Sequence, residues 1–151
     1  MRVYRVVNTK YADDLSGEGA RLHGGRWNQV GIPCVYTSQS RSLAVLEFSV
    51  NVSIERILRY LSMVEIEIPN DICEVNIIDL SGDWKEAPSP SSAKDFGTHL
   101  LNGKLHAVIK FPSSVIPEEF NYLINPRHPL SSACKIIEIK DFVFGIRIKM
   151  V

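Results

Sequence analysis

Three polar residues between His23 and Phe48 have the types and spacing to do chemistry together. Arg26 follows Gly24 and Gly25, Tyr36 sits in a strand-like run, and Glu47 falls on the apolar side of a short helical pattern. As a set they offer an anion clamp, an aromatic platform and a carboxylate. A site that handles a phosphate-bearing ribosyl compound needs those functions.

The spacing around Glu47 carries the most information. Leu43, Leu46, Glu47 and Val50 stand at i, i+3, i+4 and i+7, one face of an α-helix predicted over Arg41–Val50. Ser38 or Ser40 can cap its start, because a serine oxygen accepts from the open first-turn N–H groups. The face is otherwise apolar and should pack inward, carrying Glu47 toward the interior. A carboxylate leaves water at a cost unless it is paired or hydrogen-bonded. Glu47 is therefore expected either beside a polar cleft at the end of the core or at the edge of the face, bonded to a lysine or a backbone N–H.

Glycines before Arg26 permit close backbone approach, and the planar guanidinium can meet a carboxylate or phosphate with two parallel hydrogen bonds. The other reading is a surface arginine in a turn. Trp27 reads as a core or wall residue, and Asn28 as an amide that satisfies loop backbone. In Pro33–Ser38, Val35 and Thr37 face one way and Cys34, Tyr36 and Ser38 the other. Tyr36 is thus either core packing or a stacking surface. Ser113 could donate to a ligand or bond its own turn; Asn121 and Asn125 read as organisers of the loop around them.

The elements that must position these residues fit one domain, 1–151. Lys+Arg and Asp+Glu are both 17, so the net charge is zero and the chain is not expected to bind nucleic acid directly. No apolar run reaches membrane-spanning length and no secretory signal pattern opens the chain. Three widely spaced cysteines (Cys34, Cys73, Cys134) read as buried free thiols in a reducing cytoplasm. The four histidines (His23, His99, His106, His128) have no zinc-ligand spacing, so no metal site is expected.

Strands are predicted at Arg2–Val7, Pro33–Ser38, Ser62–Ile68, Glu74–Leu80, His106–Phe111, Lys135–Ile139 and Phe142–Lys149. Helices are predicted at Arg41–Val50, Ile54–Leu61 and Ala93–Asn102, the last capped by Ser92 and stopped by Gly103. Residues 8–32, 81–92 and 112–129 read as irregular. Strands dominate and helices interrupt them irregularly, which indicates an α+β fold.

Several ordered runs together resemble the RES-domain toxins. They are Gly24-Gly25-Arg26-Trp27-Asn28, Gly31, Val35-Tyr36-Thr37-Ser38, Leu43-Ala44-Val45-Leu46-Glu47, Pro112-Ser113, Val115-Ile116-Pro117 and Asn121-Tyr122-Leu123-Ile124-Asn125-Pro126, with Tyr4-Arg5 similar to the opening strand. The family is named for Arg, Glu and Ser, which fall here on Arg26, Glu47 and Ser113. Lys110 stands before Phe111-Pro112-Ser113 where an arginine is often seen.

The resemblance implies an ADP-ribosyltransferase-like fold with a split, bent mixed β-sheet and flanking helices. It implies NAD+ as substrate, with inorganic phosphate as a candidate co-substrate and no cofactor. The implied reaction is cleavage of the nicotinamide–ribose bond by phosphorolysis or hydrolysis. Glu47 would stabilise the oxocarbenium-like ribose, and Arg26 with Arg5 would hold the pyrophosphate or an attacking phosphate. Tyr36 would stack on or wall the nicotinamide, with Trp27 and Asn28 completing the binding surface, and Ser113 would bond the ribose or carboxamide. The implied partner is an Xre-type helix-turn-helix antitoxin that covers the site, in a complex with room for a homo-oligomer of this chain. Two other readings stay open: mono-ADP-ribosyl transfer to a protein, and a non-catalytic binding partner of a DNA-binding protein.

Overall fold

The structure is a computed structural model and describes residues 1–53 and 60–144. Among the described residues, seven strands and three α-helices follow in the order β1 (Arg2–Asn8), α1 (Glu18–His23), β2 (Val35–Ser38), α2 (Arg41–Asn51), β3 (Leu61–Glu67), β4 (Ile72–Glu74), α3 (Ser91–Gly103), β5 (Val108–Pro112), β6 (Phe120–Ile124) and β7 (Lys135–Phe142). The strands form one mixed sheet in the order β4-β5-β6-β2-β1-β3-β7, in which only β4 and β5 run parallel. The α+β class is as the sequence indicated.

The sheet is nearly divided at its middle. β1 and β3 pair over seven residues, and β2 and β6 over four, but β1 meets β2 only where Tyr4 faces Ser38. Two halves, β4-β5-β6-β2 and β1-β3-β7, diverge from that single point. Side chains alternate across the first half: Val35, Val108, Tyr122 and Ile124 join one core, while Cys34, Ile109, Phe111 and Leu123 join another. The first core also takes Val3 from β1 and Val64 and Ile66 from β3. No residue of the three helices belongs to it, so the sheet curls around this core with its own loops as cover. In a flat sheet β5 and β3 would lie about 19 Å apart, four strand spacings.

The second core is aromatic. The Trp27 ring stacks on Phe111 at 4.0 Å between centroids and 11° between planes, and Trp84 lies 6.2 Å from Trp27. α3 closes over it through Ala93, Gly97 and Leu101. A methyl group at Gly97 would lie 2.0 Å from the Trp27 carbonyl oxygen, so the helix reaches this contact only with glycine there.

α2 follows from its sequence. Ser40 is the N-cap, its Oγ accepting from Leu43 N–H at 3.1 Å, an interaction worth about 1 kcal/mol. Leu43 and Ala44 are buried, whereas Val50, placed inward by the spacing, is 55% exposed.

Several boundaries differ from expectation. α1 lies inside the segment read as loop; it is six residues long between Gly17 and Gly24, and glycines hide such a short helix from a periodicity search. Of Glu74–Leu80 only Glu74 is strand, the last residue of β4, and Ile77–Asp79 is a 3-10 turn closed by an Asn76–Asp79 capping box. The region 112–129 contains β6, an inner strand, which its flanking prolines disguise. The N-cap of α3 is Pro90, while Ser92 donates instead to Asp83 (2.8 Å), and the C-cap is Lys104 at φ 52°, one residue beyond Gly103. Cys34 is buried, but Cys73 and Cys134 are only partly so; all three are free. The helix expected over Ile54–Leu61 and the strand expected over Phe142–Lys149 fall largely outside the described residues, although Leu61 begins β3 and Phe142 ends β7.

Candidate active site

A cavity of about 670 Å³ opens on both sides of the seam between β1 and β2, within the usual range for small-molecule sites. Tyr4, Arg5 and Val6 of β1 line it beside Tyr36, Thr37 and Ser38 of β2, with α2, the Gly24–Trp27 turn and the Ala87–Ser89 loop as its other walls. Among the described residues its charged lining is Arg5, Arg26 and Lys94 with the Glu47 carboxylate. The excess of cations suits a ligand bearing more than one negative charge.

Glu47 is half-buried and reaches the cavity from the second half of α2. Its Oε1 accepts two hydrogen bonds, from Ser113 Oγ at 2.6 Å and from Asn121 Nδ2 at 2.8 Å. No protein donor reaches Oε2 among the described residues. The Ser113 hydroxyl is aimed by its surroundings: Val115 N–H and Ile116 N–H both donate to its oxygen at 3.1 Å, which leaves its own hydrogen for Glu47.

The opposite wall is built differently. Arg26 is held from one side, its Nη1 donating to the carbonyls of Trp84 (2.8 Å) and Glu86 (2.9 Å). Burial lowers its proton affinity and the Glu47 charge opposes that shift, yet no ion pair joins the two among the described residues. The space between them is open to a ligand. Arg5 donates through Nη2 to the carbonyls of Asp14 (2.6 Å) and Tyr11 (3.2 Å), while its buried Nε has no partner. Burial lowers its proton affinity too, partly offset by Asp14. Lys94, near the start of α3, donates to Gly25 O at 2.6 Å.

Tyr36 organises the turn that carries Arg26. Its hydroxyl accepts from Trp27 N–H (2.9 Å) and donates to Asn28 Oδ1 (2.6 Å). Burial, reinforced by neighbouring Cys34, pushes the phenol well above the usual tyrosine range, so it stays protonated as that bond requires. A methyl group at Gly25 would sit 2.6 Å from the Tyr36 hydroxyl oxygen, so the turn closes only with glycine. Burial likewise pushes the Cys34 thiol up to about 12, which makes it a packing residue rather than a nucleophile.

Of the seven residues singled out in the sequence, Glu47, Arg26, Arg5, Tyr36 and Trp27 line this cavity. Asn28 and Ser113 do not; both are fully buried. Asn28 spends its amide on the carbonyls of Ala20 (2.9 Å), Ile32 (2.9 Å) and Gln29 (3.3 Å), the loop-satisfying alternative. Ser113 stands behind Glu47, so in this geometry it acts on the carboxylate and not on a ligand. Sequence reasoning missed Asn121 and Ser38, which join the Glu47 network, and Lys94 and Tyr4 in the wall. The one available signal was an amide inside the apolar run Phe120–Ile124.

The fold and the site together define a class: a curled α+β domain with the Glu47 carboxylate and a cationic turn lining one cavity at the seam of a nearly split sheet. The RES domain family model matches residues 2–145, and the chain belongs to that family. It is 34% identical over 150 residues to a Sphingobium protein named Prs ADP-ribosylating toxin, covering 97% of this chain and 93% of that protein. It is 34% identical over 152 residues to a protein named Toxin Res from Yersinia enterocolitica, covering 99% and 100%. In Photorhabdus laumondii another Toxin Res is 37% identical over 129 residues, covering 83% and 82%. Among solved structures, one chain of the Mycobacterium tuberculosis MbcT–MbcA toxin–antitoxin complex shares the fold with a TM-score of 0.74 at 18% identity, over 99% of this chain and 87% of that one.

Proposed function

We propose that this chain is a toxin that cleaves the nicotinamide–ribose bond of NAD+. The observation that carries the reading is Glu47, whose Oε1 is fixed by two donors while Oε2 has none among the described residues, in a cavity lined also by Arg5, Arg26 and Lys94. As the C1′–N bond breaks, its electron pair leaves with nicotinamide, which departs neutral, and positive charge builds on C1′ and the ring oxygen. A fixed carboxylate stabilises that charge without reorganising. Arg26, Arg5 and Lys94 neutralise the pyrophosphate of the substrate or hold an incoming phosphate. Attack by phosphate at C1′ yields ADP-ribose-1″-phosphate; attack by water yields ADP-ribose and releases one proton.

The name of the Sphingobium relative supports a second reading, in which a protein side chain is the nucleophile. The machinery up to departure of nicotinamide is the same in all three cases. Purified protein incubated with NAD+, with and without phosphate, separates them by mass spectrometry: a phosphorylated ribose product, free ADP-ribose, or label on a protein.

The names of the relatives and the complex formed by the structural neighbour support an antitoxin partner. We take it to be of the Xre helix-turn-helix type, acting in the cytoplasm. It would seat over the cavity, whose lining includes Gly19, Ala20, Gly24 and Ser114. A segment placed there excludes NAD+. Turnover by the assembled complex at the rate of the free chain would overturn this mode of inhibition.

A further inference from the structure

Glu47 is fixed through a chain of donors whose direction can be read from chemistry alone. An ionised carboxylate only accepts hydrogen bonds. The Asn121 group 2.8 Å from Glu47 Oε1 is therefore its N–H, and its amide oxygen faces the other way, toward Ser38. That oxygen also only accepts, so the Ser38 hydroxyl donates to it at 2.7 Å. Ser38 and Asn121 are cross-strand partners in the β2–β6 ladder, and Ser38 is also the residue of β2 that pairs with Tyr4 of β1. Both side chains are buried, Ser38 at 4% and Asn121 at 9% exposure. The chain thus begins at the point where the two halves of the sheet meet and ends on the carboxylate.

One donor alone would not hold Glu47. With Ser113 as the sole partner, the carboxylate plane could pivot about that contact. A second donor on the same oxygen, arriving from β6, sets the plane. We propose that Asn121, held by Ser38, is a positioning residue that fixes Glu47 so that Oε2 is the oxygen offered to the ribose. The role in turnover rests on the NAD+-cleavage reading above; the arrangement of the carboxylate does not.

The test uses Asn121→Leu, Ser38→Ala and the double variant of the full chain, each checked for folding by thermal melting. In Asn121→Leu, kcat for nicotinamide release should fall by about 10- to 100-fold, the scale of a small misplacement of a reacting group. KM should hardly move. Ser38→Ala should lose less, about 3- to 10-fold, and the double variant should be no worse than Asn121→Leu, because partners in one chain are not additive.

A readout independent of turnover is the carboxyl carbon resonance of Glu47 at neutral pH, identified by its loss in Glu47→Gln. Its chemical shift should move in both single variants, less in Ser38→Ala, because a hydrogen bond to Oε1 is lost or loosened. An unmoved resonance in folded variants, losses that multiply in the double variant, or an effect confined to KM would overturn the proposal. If the wild-type chain cleaves no NAD+, the reaction reading fails and the resonance alone decides whether Asn121 and Ser38 hold the carboxylate. If Asn121→Leu does not fold, Ser38→Ala carries the same decision.

Discussion

The two walls of the cavity are held by opposite means. On one side the Glu47 carboxylate is fixed by side chains, Ser113 and Asn121, that are themselves fixed by backbone N–H groups and a cross-strand serine. On the other, Arg26 rests on the backbone carbonyls of an irregular segment, and the turn that carries it is pinned through its backbone by Tyr36, Lys94 and Ser89. The difference teaches a division of labour. A group that must meet developing charge gains from having no freedom, since any reorganisation adds to the barrier. A group that binds a flexible diphosphate tolerates freedom, because an arginine fork fits its ligand after contact.

The comparison can be broken first on the carboxylate side. Glu47→Gln keeps the shape and both hydrogen bonds but removes the charge, so nicotinamide release should fall on the order of 10²–10³-fold with the fold intact. A rate within about threefold of wild type, far inside the loss expected for a removed charge partner, would strip Glu47 of its role. Next in size, Gly97→Ala should destabilise the chain by about 1–3 kcal/mol, since the new methyl must displace the Trp27 backbone; thermal unfolding measures it. An unchanged melting temperature would show that α3 does not brace the Arg26 turn.

Arg26→Lys keeps charge but loses the fork, so KM for NAD+ should rise about 10-fold with a smaller change in kcat. Kinetic constants at equal phosphate check this; a loss confined to kcat would move Arg26 to the carboxylate's side of the comparison. Smallest, Ser40→Ala should cost about 1 kcal/mol of stability through the lost cap of α2. Its kcat should stay near wild type, because Glu47 is held by its own partners and not by the helix end. A kcat loss at full folding would show that the helix start helps aim Glu47.

How much of this was legible in the chain differs between the walls. The helix under Glu47 could be read because Leu43, Leu46 and Glu47 recur at helical spacing behind a serine cap. Arg26 stood out because glycines flank it. The carboxylate's partners could not be read, since Ser113 and Asn121 lie 66 and 74 residues away and only the sheet order brings β5 and β6 beside α2. Proline-rich flanks conceal β6, so Asn121 reads as a loop organiser although it is a strand residue lining the cavity. For Ser113 the pattern leaves a ligand and its own turn open and the resemblance points to the ligand; the Val115 and Ile116 N–H groups make the turn bonds, and the donation to Glu47 is a tertiary fact. The curled, nearly split sheet followed from the family resemblance, while local patterns gave only the strands.

The most direct test of the central claim is to mix the purified chain with NAD+ and phosphate and follow free nicotinamide by proton NMR. The account predicts continuous release of nicotinamide with matching loss of NAD+, in proportion to enzyme, and its near-disappearance in Glu47→Gln. NAD+ that stays intact in the presence of folded wild-type protein, with phosphate supplied, would contradict it.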